Sequence, residues 1–263
     1  MSDTPLVIRE DHGAITHLTL NAPQNLNALS NEMLATLQGE FDALMDQPDQ
    51  KVVVLKGAGR AFCAGHDLKQ MQAARQAEDG GQAAWKDLFD RCATMMQTIP
   101  RMPQPVIAQV HGLAAAAGCQ LVASCDLAVA TEDAKFGVNG VNIGLFCSTP
   151  MVALSRVMPR KHVFEMLTTG QFLDAPTAVE RGLITRAVPA DTLDAATQDL
   201  AETIAGKLSS AVRIGKRAFY EQAELTLAEA YALTGDVMVT NMAQDDTDEG
   251  ITAFLEKRPP NWD

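Results

Sequence analysis

Two segments rich in small residues follow predicted strands, and both could bring main-chain N–H groups to one point. They are residues 61–68 (AFCAGHDL) and 111–120 (HGLAAAAGCQ). Small side chains at a strand-to-helix junction let a ligand touch the backbone, and the free N–H groups of a helix's first turn can donate to an oxygen. Together the two junctions could form an oxyanion hole. The alternative for each segment is close packing of a helix on the sheet.

A glycine-rich turn, Gly57-Ala58-Gly59, follows a predicted strand, as a dinucleotide-binding loop does. Phe62 stands where that fingerprint needs a small residue, so the turn predicts no nicotinamide site. The sequence also lacks the P-loop, zinc-peptidase and hydrolase-elbow motifs. The usual signals for phosphoryl transfer, metallopeptidases and α/β-hydrolases are therefore absent.

Neither the histidines nor the cysteines have the spacing of metal ligands. His66 lies within the first small-residue segment, where its imidazole could titrate near neutrality, and His111 is predicted at a strand end. The five cysteines form no CxxC pair in a chain too long to need disulfides. We therefore expect reduced thiols, no metal site and a cytoplasmic location.

Strands and helices alternate in the first half of the predicted chain. Apolar runs predict strands over 6–9, 14–20, 52–55, 106–110 and 127–131. Helical spacing predicts a helix over 27–45, with Ser30 as N-cap, and another over 87–98. Residues 72–82 are predicted to be a mobile loop. Beyond residue 149, one strand is expected over 183–188, and helices over 150–157, 160–168, 176–181, 193–208, 210–223, 227–242 and 250–257. This alternation predicts an α/β fold.

Composition narrows the possible partners. The 263 residues are 47% hydrophobic, enough for one large core, and the net charge of −12 argues against nucleic acid or an anionic membrane as a partner. No apolar run approaches the ~18 residues of a membrane helix, and the first residues lack the pattern of a signal peptide. Secretion and membrane spanning are therefore not expected.

The chain resembles the crotonase, or enoyl-CoA hydratase/isomerase, superfamily over nearly its whole length. The matching segments are 21–23, 27–29, 59–68, 106–108, 112–126, 136–137, 180–183 and 249–258. Residues 112–126 and 144–150 are most similar to the branch called enoyl-CoA hydratase domain-containing protein 3. The resemblance implies a spiral of ββα units over residues 1–200 and a C-terminal helical trimerisation region over 201–263. It also implies assembly as a homotrimer or a dimer of trimers.

The same resemblance implies an acyl-CoA thioester as substrate, with no separate cofactor. The main-chain N–H groups of His66 and Ala117 would then be the oxyanion donors that hold the thioester oxygen as an enolate forms. The substrate-binding residues it implies are Asn27, Ala28, Ala64, Asp67, Leu68, Phe254 and Lys257. For the last two, a solvated helix end is the alternative.

Two positions depart from the hydratases of that superfamily. The paired glutamates that hold a water in those enzymes align with Gln120 and Gly140. Glutamine can orient a water but cannot exchange a proton, and glycine has no side chain. Efficient hydration is therefore not expected, and restoring both glutamates should raise it.

Three side chains near these positions could supply other chemistry. Cys147 could be a nucleophile if its pKa were depressed, Ser148 could donate a hydrogen bond, and His66 could titrate. The alternative is that all three only shape the pocket. Three functions therefore stay open: an enoyl-CoA hydratase-like enzyme, another enolate reaction such as decarboxylation or thioester cleavage, and a non-catalytic acyl-CoA-binding scaffold. Product identity separates the first two, and binding without turnover favours the third.

Overall fold

The structure is a computed structural model and describes residues 4–262. Its strands are β1 (Val7–His12), β2 (Ile15–Leu20), β3 (Val52–Gly57), β4 (Val106–Val110), β5 (Leu113–Ala115), β6 (Leu127–Thr131), β7 (Lys135–Gly137), β8 (Leu173–Asp174) and β9 (Arg186–Val188). The main sheet has the order β1-β2-β3-β4-β6-β9, and a small sheet has the order β5-β7-β8. In the main sheet, β1 and β2 are antiparallel and the remaining pairs are parallel.

Some helices connect the strands, and the last four follow the final strand of the main sheet. They are α1 (Asn31–Met45), α2 (Leu68–Ala73), α3 (Gln82–Arg101), α4 (Ala117–Ser124), α5 (Pro150–Val157), α6 (Arg160–Thr169), α7 (Ala175–Glu180), α8 (Leu193–Ala205), α9 (Ser209–Gln222), α10 (Leu227–Met242) and α11 (Asp245–Leu255). The predicted α/β class is confirmed. No helix of the described residues is long and apolar enough to cross a membrane.

Both faces of the main sheet are buried, as a largely parallel sheet requires. One face packs with α1, α3 and α4 in the larger core, which includes Leu37, Phe41 and Leu55. The other face packs against α8, and its core includes Val54 and Leu193. Because α8 packs on this sheet, the predicted domain division after residue 200 falls inside a helix of the core.

Several predicted boundaries coincide with the observed ones, and two differ. β4, β6, α5 and α10 begin and end at the predicted residues. The side chain of Ser30 accepts from the Met33 N–H, as expected of the N-cap. The first helix begins at Asn31 rather than residue 27, because Leu26 and Asn27 both have a φ of 53°. α3 extends through Pro100 and ends at Arg101, although proline cannot donate the main-chain hydrogen bond of a helical residue.

The segment predicted to be a mobile loop is a folded connection between α2 and α3. The Trp85 indole N–H donates to the Met71 carbonyl over 2.9 Å. The Arg75 guanidinium lies 4.8 Å from the centre of the Trp85 ring. The Asp79 carboxylate accepts hydrogen bonds from the N–H groups of Gly81 and Ala83. The composition of residues 72–82 did not reveal these contacts, which give the predicted loop a defined conformation.

A buried ion pair attaches α9 to the end of the sheet. The Lys216 ammonium lies 2.6 Å from the Asp126 carboxylate and also donates to the carbonyls of Ile99 and Gln104. Tyr220 donates to the other oxygen of Asp126 over 2.8 Å. Burial lowers the pKa of Lys216 and raises that of Tyr220, while the carboxylate favours the charged lysine. The cluster fixes the first of the three last helices on the core.

Asp126→Asn should destabilise the protein strongly, because it leaves the Lys216 charge buried without its counter-ion. Removing one partner of a buried pair typically costs about 3–5 kcal/mol. Urea denaturation of the variant and the parent would measure the change. Asp90→Asn is the matched control, because its pair with Lys86 is exposed on both sides. Equal stabilities of the two variants would contradict the assigned role of Asp126.

Candidate functional site

Main-chain hydrogen bonds bring the two small-residue segments together. The Cys63 N–H donates to the Leu113 carbonyl over 3.1 Å, and the Ala115 N–H donates to the Cys63 carbonyl over 2.9 Å. A β-carbon added to Gly118 would lie 2.1 Å from the Cys63 oxygen. Only glycine therefore allows the first turn of α4 to approach this segment so closely.

The predicted oxyanion donors lie beside each other at the start of α4. Ala117 is the first residue of this helix, so its N–H has no partner within the helix. A β-carbon added to Gly65, the residue before His66, would lie 3.3 Å from the Ala117 nitrogen. Within residues 4–262, neither the His66 nor the Ala117 N–H donates to a main-chain carbonyl. Both N–H groups are therefore available to one acceptor.

Ala116 holds the start of α4 in a strained conformation. Its φ of 48° and ψ of −115° lie in a region that residues with a side chain rarely adopt. Its N–H donates to the Gly137 carbonyl over 2.8 Å, and its carbonyl accepts from the Gln120 N–H. Strain of this kind costs about 1–3 kcal/mol and is often found at functional sites, where neighbouring contacts maintain it.

A cavity of about 770 Å³ opens in front of these N–H groups. Nine of the predicted site residues line it, namely Ala28, Ala64, His66, Asp67, Leu68, Ala117, Gly140, Cys147 and Ser148. Sequence reasoning missed the further lining residues Arg60, Phe89 and Phe172. Arg60 and Lys69 give the cavity two cations in an acidic protein, and their position beside the predicted residues was a signal available in the sequence.

Four predicted site residues do not line this cavity within the described chain. Asn27 is fully buried, and its side chain accepts from the Ala22 N–H and donates to the carbonyls of residues 58, 61 and 62. It therefore positions the loop beside Ala28 and does not face a ligand. Phe254, which is 82% exposed, lies on α11, and Lys257 follows that helix. Gln120 lies inside α4.

His66 presents a neutral imidazole. Its Nδ1 lies 3.3 Å from the Leu29 carbonyl, an oxygen that can only accept, so Nδ1 carries the proton. The buried Nε2 atom has no hydrogen-bond partner among the described residues. Burial lowers the pKa of His66 below its usual value, and the ring packs edge-on against Phe89. The expected titration near neutrality therefore moves to lower pH.

Gln120 contributes a second polar atom without a partner. Its side chain is only 4% exposed, and Oε1 accepts no hydrogen bond from the described residues. Gln120 follows Ala117 by three positions in α4, so the two residues lie on the same face of the helix. The orphaned amide oxygen and the orphaned His66 Nε2 are the kind of groups that a ligand or a water would satisfy.

Gly140 lines the cavity, and the atoms around it leave no room for a side chain at this position. A β-carbon there would lie 2.4 Å from the Leu145 carbonyl oxygen and 2.8 Å from Cys147 Sγ. The Cys147 side chain is buried, and burial raises the pKa of its thiol, while a hydrogen bond from the Gly140 N–H opposes that change. The thiol is therefore protonated near neutral pH, which argues against a resting nucleophile. Ser148 is exposed and lies close to the Phe146 carbonyl.

The geometry corrects one expectation from the sequence. Restoring glutamates at 120 and 140 together was expected to raise hydration. The main chain of Leu145 fills the space beside Gly140, so a glutamate at 140 cannot take its place without moving that segment.

Comparison with known proteins identifies the family and the fold. The sequence pattern of the family described as enoyl-CoA hydratase/isomerase matches residues 10–263. The chain belongs to that family. A crystal structure of an enoyl-CoA hydratase from Mycobacterium smegmatis superimposes with a TM-score of 0.95 and 48% identity, covering 98% of this chain and 99% of that one. The predicted crotonase-like fold is confirmed within the enoyl-CoA hydratase/isomerase family.

The predicted branch of the enoyl-CoA hydratase/isomerase family is confirmed as well. The human enoyl-CoA hydratase domain-containing protein 3 superimposes with a TM-score of 0.93 and 43% identity, covering 98% of this chain and all of that one. The Xenopus laevis protein of that name, described as mitochondrial, is 43% identical over 263 residues, which are 100% of this chain and 87% of that protein.

The expectation of a cytoplasmic location was wrong. The vertebrate relatives of the branch are named as mitochondrial proteins. Reduced cysteines distinguish a reducing compartment from an oxidising one, so they were too coarse a basis for naming the cytoplasm.

Gly140→Ala should destabilise the protein by about 1–3 kcal/mol, because the added methyl group overlaps the Leu145 carbonyl and Cys147 Sγ. Thermal or urea unfolding measures the change. Gly39→Ala is the control, because an added β-carbon at this helical position in α1 meets no atom within 4 Å. That variant should be stabilised by about 0.4–1 kcal/mol. A Gly140→Ala variant as stable as the parent would contradict the conclusion that Leu145 and Cys147 fill the space beside Gly140.

Proposed function

We propose that this protein binds acyl-CoA thioesters and stabilises the enolate of the bound acyl group. The observation that carries the proposal is the pair of unpartnered N–H groups of His66 and Ala117 facing one cavity. Two such donors aimed at one carbonyl oxygen stabilise the charge that develops there, and each is typically worth ~10²–10³ in rate. Membership of the enoyl-CoA hydratase/isomerase family supports the thioester as the ligand class.

The residues that line the cavity suit both parts of an acyl-CoA thioester. Arg60 and Lys69 provide positive charge suited to the phosphates of coenzyme A. Phe89, Phe172 and Leu145 provide apolar surface suited to an acyl group. The thioester is the substrate, and no separate cofactor is proposed.

Efficient hydration of an enoyl-CoA is not part of the proposal. That reaction needs a group that takes a proton from water and a group that delivers one to carbon. Gln120 offers an amide, and Gly140 offers neither a side chain nor room for one. The filled space beside Gly140 favours a protein that binds and polarises the thioester without rapid addition of water.

Crotonyl-CoA tests this function directly. Calorimetry should detect binding, while the absorbance of the conjugated thioester should fall far more slowly than an efficiency of ~10⁷ M⁻¹s⁻¹ would give. Absence of binding would refute the acyl-CoA site. Fast hydration would refute the assignment of Gln120 and Gly140 as inactive in proton transfer.

A ligand without the carbonyl group is the matched control for the two N–H donors. S-butyl-CoA, a thioether, keeps the coenzyme and the chain length of butyryl-CoA but has no oxygen for the donors. Two hydrogen bonds at about 0.5–1.5 kcal/mol each predict binding about 5- to 150-fold weaker than that of butyryl-CoA. Equal affinities would show that the carbonyl oxygen does not lie between His66 and Ala117.

We also propose that the protein assembles as a homotrimer or a dimer of trimers through its C-terminal helices. Leu227, Tyr231, Met238 and Met242 are exposed and follow helical spacing along one face of α10. Phe219 on α9 and Phe254 on α11 add exposed apolar surface to this region. Large exposed apolar surfaces mark interaction sites in soluble proteins.

The double variant Tyr231→Asp, Met238→Asp should shift the assembly to monomers, because two charges would then be buried at the interface. Light scattering coupled to gel filtration gives the mass. Thr240→Asp is the control, because position 240 lies on the opposite side of α10 from that apolar face. A parent protein that runs as a monomer would refute the proposed assembly.

A further inference from the structure

Cys147 occupies the direction in which a side chain at position 140 would project. Its Sγ lies 2.8 Å from the point where a β-carbon of Gly140 would be, and Cys147 lines the same cavity as His66 and Ala117. The Gly140 N–H donates to this sulfur. Cys147 therefore places a proton-bearing atom at the wall of the proposed enolate site.

The surroundings of Cys147 leave few other groups for proton transfer at this wall. The thiol faces Cys119 of α4, whose pKa burial raises to about 12, so that neighbour stays protonated. Gln120 has a buried, unpartnered amide oxygen in α4, but an amide has no exchangeable charge state. The neutral His66 is hydrogen-bonded through Nδ1 to Leu29.

On the basis of the proposed acyl-CoA function, we propose that Cys147 is a catalytic residue that exchanges a proton with the α-carbon of the bound thioester. In the forward step its thiolate takes the α-proton, and the C–H electron pair forms the enolate, whose oxygen is held by the N–H groups of His66 and Ala117. In the return step the thiol gives a proton to the α-carbon, and the carbonyl forms again.

The structure supports the thiolate that begins the forward step and forms again at the end of the return step. Sγ lies against Gly140, whose main-chain N–H lowers the pKa of the Cys147 thiol and so favours a negative charge there. Between the two steps the thiol exchanges its proton with water, so the cycle needs no other reactant. Because burial raises the pKa of the Cys147 thiol, the thiolate fraction and the exchange rate should increase as pH rises above neutrality. The Cys147 thiolate therefore differs from a carboxylate base, which is already charged at neutral pH.

Deuterium exchange tests the role of Cys147. The full-length protein is incubated with butyryl-CoA in D₂O near pD 9, and mass spectrometry follows deuterium at the α-carbon. We expect one of the two α-hydrogens to exchange, because the thiol lies on one side of the acyl group. Cys147→Ala should slow exchange by about 10²-fold or more, and Cys147→Ser should slow it similarly because a hydroxyl is a far weaker acid.

The controls separate this inference from the proposed function. Cys92→Ala removes a buried thiol of α3 that does not line the described cavity, and it should exchange like the parent. Calorimetry should still detect butyryl-CoA binding to Cys147→Ala, so that a loss of exchange can be separated from a loss of the ligand. Binding with no exchange in the parent, or unchanged exchange in Cys147→Ala, would overturn the role of Cys147 and leave the acyl-CoA site standing. Absence of binding would overturn the acyl-CoA function itself.

Discussion

The close approach of the Cys63 carbonyl to the first turn of α4 is the constraint on which the site depends. Two hydrogen bonds join residue 63 to β5, and Gly118 permits the contact because any side chain there would overlap the carbonyl. The strained Ala116 completes the turn. With this geometry fixed by main-chain atoms, the two N–H groups can face one acceptor whatever side chains stand at positions 66 and 117.

The opposite wall of the cavity is set by the turn from Asn139 to Cys147. There the main chain folds back, so the Leu145 carbonyl and the Cys147 sulfur fill the space beside Gly140. The two N–H groups and the opposite wall of the cavity are thus positioned by different segments of the chain. One segment presents two main-chain N–H groups, while the other presents a short, buried thiol beside a glycine.

The sequence predicted the elements with strong periodicity and the small-residue junctions. β4, β6 and α10 were located to the residue, and nine site residues do line one cavity. It could not predict what depends on distant contacts. The short strands β5, β7 and β8 carry too little hydrophobic alternation to be located. The turn at 72–82 is ordered by a contact with Trp85. The Asn27 side chain donates to carbonyls that lie more than thirty positions away in the sequence. The space beside Gly140 is filled because the chain folds back between residues 140 and 147, and the composition of that segment does not predict this turn.

The buried charge pair of Asp126 and Lys216 has a consequence for how the chain can be divided. Asp126 begins the segment that leads into β6, whereas Lys216 lies on α9, and the lysine also satisfies two carbonyls near the end of α3. A polypeptide cut before α9 would leave an isolated carboxylate and open carbonyls in the interior. Any fragment that is to keep these buried contacts must therefore extend at least through Tyr220.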